Sequence, residues 1–288
     1  MSVSASIIKE LRDKTGAGMS DCKKALEENN SNIEEAITWL RKKGLASASK
    51  KAGRETSEGA IAAFVSGNKA TIIELSSETD FVGKNEKFLG LAEAIVKSAH
   101  AFEGKSVPEF LDYSADNSST ANELIAEHIS IIGENIVLKR LDHLGVNHGK
   151  VLAYFHNKLA DNMGKIGVLV ALEGEVNSEI EEFGKQLAMH IAASKPAALN
   201  IDSLDPLFIE KEKGILRSQA SESGKSADVV EKMIEGRIRK FLEEVVLLEQ
   251  PFVMDGKTKI KKVIEDLESK NNCKFTVSGY IRYEIGES

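Results

Sequence analysis

A repeat limits the fold more than any other feature of this chain. "LAEAIVKSA", starting at Leu91, aligns with "LAMHIAASK", starting at Leu187, at an offset of 96 residues. The pairs Leu91/Leu187, Ala92/Ala188, Ile95/Ile191 and Ser98/Ser194 are identical. The same offset lays Ile72-Ile73 on Val168-Leu169. A strand-like run followed by an apolar-striped helix, present twice, reads as two alike units of antiparallel sheet and helix.

The surrounding pattern fills in both units. Ala60–Val65 and Ala70–Leu75 flank a turn at Ser66-Gly67-Asn68 and read as a hairpin. Helices are expected over Phe88–Ala99 and, after a polar Ser/Asn stretch near 114–120, over Glu123–Ile131. "GENIVLKRL", Gly133 to Leu141, leads into a strand. Val151–His156 and Ile166–Leu172 read as a second hairpin with an irregular connection at Asn157–Lys165, followed by a helix over Ile180–Ala193. Asp205-Pro206 sets an N-cap before a proline at the first helical position. It opens a helix to Ser221, a turn at Ser223–Ser226 follows, and a second helix runs to Val245, which together predict an antiparallel helical hairpin. After "QPFV", a helix over Lys259–Ser269 and a strand over Lys274–Glu284 close the chain.

The N-terminal part has a different grain. Ile7, Ile8 and Leu11 stripe a first helix, which "TGAG" at Thr15–Gly18 breaks. A second helix is expected from Ser20, with Cys22, Ala25 and Leu26 inside. A third starts at the capping pattern Ser31–Glu34, and Gly44 reads as its stop. Trp39 falls at the core's edge. "GLASASKKAGRET" then reads as a hydrated tether whose Lys50, Lys51 and Arg54 could also meet an acidic or phosphate-bearing partner. The expectation is an α+β chain. A three-helix, ubiquitin-associated-like bundle (1–44) and a linker (45–56) precede one sheet-plus-helix subdomain (57–142). The second is formed by 143–201 with 247–288, and the helical hairpin (202–246) is inserted in it.

Composition narrows the function classes. With 288 residues and 42% hydrophobic content the chain can bury more than one core. No apolar run approaches the about 18 residues of a membrane span, and the first residues lack the signs of a signal peptide. Cys22 and Cys273 form no metal spacing, so a reduced, cytoplasmic setting is expected. The net charge of -7 argues against nucleic acid as the main partner, yet residues 1–56 carry 11 Lys or Arg against 8 Asp or Glu. No phosphate-binding loop, HExxH or paired-cysteine motif occurs. The six histidines are scattered, and His190 reads as an interior or interface residue.

"SSETDFVGKNEKF", Ser76 to Phe88, carries a phenylalanine where a polar turn is expected. The strand already supplies Ile72, Ile73 and Leu75 to the core, and the helix supplies Phe88, Leu91 and Ile95. Asp80 beside Phe81 is costly to bury without a partner. A presented aromatic beside a carboxylate suits a binding anchor, since aromatic residues dominate interface hot spots. The bland alternative is a phenylalanine folded back beneath its own sheet.

"LRDKTGAGMSDCKKAL", "ETDFVGKNEKF", "GENIVLKRL", "AMHIAASKPAAL" and "QPFV" occur in this order from residue 4 to 286 and resemble the bacterial translation elongation factor Ts family. The resemblance implies a guanine-nucleotide exchange factor whose partner is elongation factor Tu, GDP-bound and nucleotide-free. Thr79, Asp80, Phe81 and Val82 match the family's TDFV motif, whose phenylalanine disturbs the partner's magnesium and phosphate site. Met19 and Lys23, at the "GAGM" turn, and His156, after Tyr154-Phe155, match weaker partner contacts. Met19-Ser20 stands where relatives often have two methionines. The resemblance implies no cofactor, no metal, no catalytic residue, no membrane, no direct nucleic acid and no small-molecule substrate. Relatives with a further C-terminal helical module use it on the partner, so a chain ending at Ser288 is expected to rely on its other contacts. Against this stands a second class, a helical adaptor or RNA-associated chaperone using the basic first 56 residues without exchange activity.

Overall fold

The computed structural model describes residues 3–114, 119–221 and 227–287. Helices α1 (Ala5–Thr15), α2 (Met19–Glu28) and α3 (Ile33–Lys51) pack around Leu11, Cys22, Ala25, Leu26 and Ala36. The start of α3 is secured by Asn32, whose side chain accepts the backbone N–H of Glu34 and Glu35. Gly44 does not stop α3, which continues to Lys51, so most of the expected tether is helix. The reason is a neighbour. At Gly44, α3 crosses the later helix over Ala121–Ile132 so closely that a Cβ would lie 3.3 Å from the Ala126 carbonyl oxygen. The glycine is there for close approach and not for a left-handed cap.

Strands β1 (Glu58–Ser66) and β2 (Lys69–Ser77) form the first hairpin. Helices α4 (Asp80–Gly83), α5 (Glu86–Ala101), α6 (Val107–Leu111) and α7 (Ala121–Ile132) follow, and β3 (Ile136–Gly145) returns to pair with β2. The short α4 and α6 span too few residues to show a helical period in sequence. The second half has the same plan. β4 (Gly149–Ala160) and β5 (Met163–Gly174) form a hairpin, α8 (Ser178–Ser194) covers it, and after α9 (Pro206–Ser221), α10 (Ala227–Val245) and α11 (Ile260–Asn271), β6 (Phe275–Glu284) pairs with β5. The expected turn at Ser223–Ser226 and positions 115–118 of the Ser/Asn stretch lie outside the described residues.

Two sequence expectations are corrected here. The connection expected to be irregular at Asn157–Lys165 is strand for most of its length, with a bulge at Lys158–Ala160 and Asn157 and Asn162 at φ 50 and 56. Its polar residues hid the alternation. This extension reaches β1, through Ile61 opposite Gly164 and Ala62 opposite Met163, and joins both halves in one six-stranded sheet, β3-β2-β1-β5-β4 with β6 on β5. The strand offset of the repeat is also 97, not 96. Ile73 and Leu75 face α5, as Val170 and Leu172 face α8, whereas Ile72 and Leu169 share the opposite face. A one-residue slip exchanges the faces of a strand. For the helices the offset of 96 stands, with Leu91, Ala92 and Ile95 buried in one half and Leu187, Ala188 and Ile191 in the other.

Opposite the helices, the curled sheet packs on itself through Ile61, Ile72, Val151, Phe155, Leu169 and Tyr283. At this seam the fully buried Glu74 of β2 accepts from the Arg140 guanidinium of β3, which lies 4.1 Å from the Tyr283 ring centre of β6. Tyr283 in turn donates to Asp142 at 2.7 Å. Elsewhere α9 and α10 leave and rejoin the second half at one point. The Ala197 N–H donates to Val245, and the Leu247 N–H donates back to Ala198. Among the described residues no helix is long and apolar enough to cross a membrane.

Candidate functional site

The end of β2 and the four residues of α4 place the TDFV segment. Val82 is buried in the core beneath α5. Gly83 rests on β1, where a Cβ would meet the Gly59 oxygen at 3.1 Å. With those two residues turned inward, the rotation of the helix turns Phe81 outward. It is 82% exposed, the most exposed large apolar side chain among the described residues. Burying a phenylalanine is worth about 1.5–3 kcal/mol, which the isolated fold forgoes here. Asp80 pairs with Lys84, one turn on, at 2.9 Å, and that hydrogen bond holds its carboxyl below the usual range.

Behind Phe81 lies a polar network drawn from three distant segments. Glu134 accepts the backbone N–H of Thr79 at 3.0 Å and its hydroxyl at 2.7 Å. The hydroxyl of Ser77 donates to the Thr79 carbonyl at 3.1 Å. Glu78 accepts the N–H of Asn135 at 2.6 Å and pairs with Arg54 at 3.3 Å, while the Asn135 amide donates to the Arg54 carbonyl at 2.9 Å. Sequence reasoning missed Glu78, Glu134 and Asn135 in this role. The available signal was "GEN" itself, two polar residues at the junction of a helix and a buried strand.

The other candidates stand apart. Met19 opens α2 and is 48% exposed. Lys23, one turn on, is exposed and 3.7 Å from Glu27. His156 lies exposed on β4, its Nδ1 3.2 Å from the Tyr154 hydroxyl. Thr79–Val82 thus share one turn and Met19 and Lys23 share one helix face, whereas His156 belongs to the outermost strand of the other half. No hydrogen bond or ion pair among the described residues connects the three groups. His190 is an interior residue. It accepts the Val253 N–H at 3.2 Å and donates to the Gln250 side-chain oxygen at 2.7 Å, and burial lowers its pKa.

The family model of elongation factor Ts matches residues 78–287, beginning at the Glu78 of the network. The chain belongs to the elongation factor Ts family. It is 46% identical to the elongation factor Ts of Sphingopyxis alaskensis over 286 residues, which cover 99% of this chain and 93% of that protein. Against the elongation factor Ts of Brucella anthropi it is 46% identical over 288 residues, covering 100% and 94%. Against that of Rickettsia felis it is 43% identical over 289 residues, covering 100% and 93%. Membership of the elongation factor Ts family makes this a protein of translation elongation.

Proposed function

We propose that this chain is a guanine-nucleotide exchange factor that binds elongation factor Tu carrying GDP and promotes release of the nucleotide through Phe81. The observation that carries the reading is the outward Phe81 on a helix whose neighbouring residues are anchored in the core and in a polar network. Inserted between elements of the GTPase, the ring displaces groups that hold magnesium and the phosphates. Thr79, Asp80 and Val82 present it, Met19 and Lys23 dock the N-terminal bundle, and His156 adds a contact from the second half. The coupling is reciprocal: binding of the factor weakens GDP by the factor by which GDP weakens the factor, and incoming GTP completes the cycle. No bond is made or broken by this chain, and the scheme needs no cofactor, nucleic acid or membrane.

The test is release of a fluorescent GDP analogue from elongation factor Tu of the same organism, chased with excess GTP. The intact protein accelerates release, and Phe81→Ala slows the accelerated rate by about tenfold or more, the loss of a hot-spot aromatic. An unchanged rate from folded Phe81→Ala removes Phe81 from the mechanism, and no acceleration by the intact protein removes the exchange activity.

A further inference from the structure

We propose that Glu134 is a positioning residue for Phe81, acting through the start of α4; the inference rests on the exchange reading above. Four residues cannot hold a helix by themselves, because nucleation is unfavourable until further turns are added. The direction of Phe81 therefore depends on what grips the ends of α4. At its far end the grip is apolar, Val82 in the core and Gly83 on Gly59. At its near end, one carboxylate takes both donors of Thr79, fixing backbone and side chain together.

Glu134 is well suited to this. It follows Gly133, whose left-handed φ of 93 ends α7 and redirects the chain, and it precedes Asn135, which is buried. Its own backbone is therefore fixed on both sides. Among the described residues no Lys or Arg pairs with it, so its acceptors serve Thr79. Arg54, Glu78 and Asn135 tie the neighbouring residue to the same junction, so Thr79 cannot swing without breaking them. An exposed ring that must displace groups in a partner gains from such pre-organisation, because ordering a loop on binding lowers what binding delivers.

The experiment measures GDP release over a range of factor concentrations, separating the maximal rate from the half-saturating concentration. Glu134→Ala is expected to lower the maximal rate roughly tenfold, the scale of losing the two hydrogen bonds to Thr79, with the half-saturating concentration within about threefold. Glu134→Gln is expected to stay within about threefold of the parent, because the amide oxygen accepts the Thr79 N–H and the amide N–H donates to its hydroxyl oxygen. In a Phe81→Ala background Glu134→Ala is expected to add no further loss, since two residues that act as one do not add. A folded Glu134→Ala at the full rate overturns the proposal, as does an equal further loss in the Phe81→Ala background, which marks a general structural role. Two controls separate this proposal from the reading it rests on: no acceleration by the intact protein removes the exchange activity, and a folded Phe81→Ala at the full rate removes the role of Phe81, and with either the proposal falls too. Should Glu134→Ala not fold, Thr79→Val removes one of the two bonds with an expected loss of about fivefold, and a full rate there overturns the proposal.

Discussion

Phe81 and Val82 are neighbours with opposite duties, and stability measurements separate them. Phe81→Ala is expected to change the unfolding free energy by no more than about 0.5 kcal/mol, as for a surface site. Val82→Ala is expected to cost about 1–2 kcal/mol for two buried methyl groups, read from urea denaturation. A different residue-scale effect concerns Thr71, whose buried hydroxyl lies 2.9 Å from Nδ1 of His100 and 2.8 Å from Nδ1 of His143. Burial, and then the Lys69 charge, lower the His100 pKa from 6.5; burial is also the main cause at His143. As pH falls below 6.5 the unfolded chain takes up these protons first, so stability is full above 6.5 and declines as pH falls toward the folded values. The urea midpoint should therefore fall between pH 7.5 and 5.5, and less so in His143→Asn. The exposure of Phe81 was legible because strand and helix already filled the core around it. The part of Glu134 was not, because a carboxylate 55 residues from Thr79 leaves no periodic trace.

At the level of elements, legibility followed length and capping. Helix α9 announced its start through Asp205 and Pro206, the Asp205 carboxylate accepting the Leu207 N–H, and α8 showed itself by its apolar stripe, whereas sequence reasoning missed the reciprocal capping box of Thr120 and Glu123 that opens α7 and expected its start at Glu123. Helix α3 misled at Gly44 because a glycine reads alike whether it ends a helix or lets another cross it. The distinction can be tested. Gly44→Val places branched carbon against the Ala126 carbonyl and is expected to cost about 1–3 kcal/mol by overpacking. Hydrogen exchange should quicken first in α3 and α7 of that variant. The hairpin β4–β5 misled for the opposite reason: Asn157 and Lys158 look like loop, yet they lie in the ladder that runs on to the turn at Asp161-Asn162 and brings Met163 and Gly164 against β1.

For the whole molecule, the repeat foretold two alike units but not that they share a sheet, since pairing between strands a hundred residues apart is written in no local pattern. The seam offers the sharpest test of that union. Arg140→Leu leaves Glu74 buried without its cation and is expected to cost about 3 kcal/mol, whereas Glu74→Met with Arg140→Leu should recover most of it in urea denaturation. Burial, and then the Asp142 carboxylate that accepts its proton, push the Tyr283 hydroxyl well above the ordinary phenol range, so it remains a donor at this seam. The rejoining of α9 and α10 has a consequence of another kind. Because Ala198 and Val246 already stand side by side, the hairpin is a plug in a socket. Its length can change at a cost that grows only with the logarithm of the loop. A short turn, a reporter domain or a foreign helical pair could be seated between them while β1, β2 and the helix α4 that carries Phe81 keep their places.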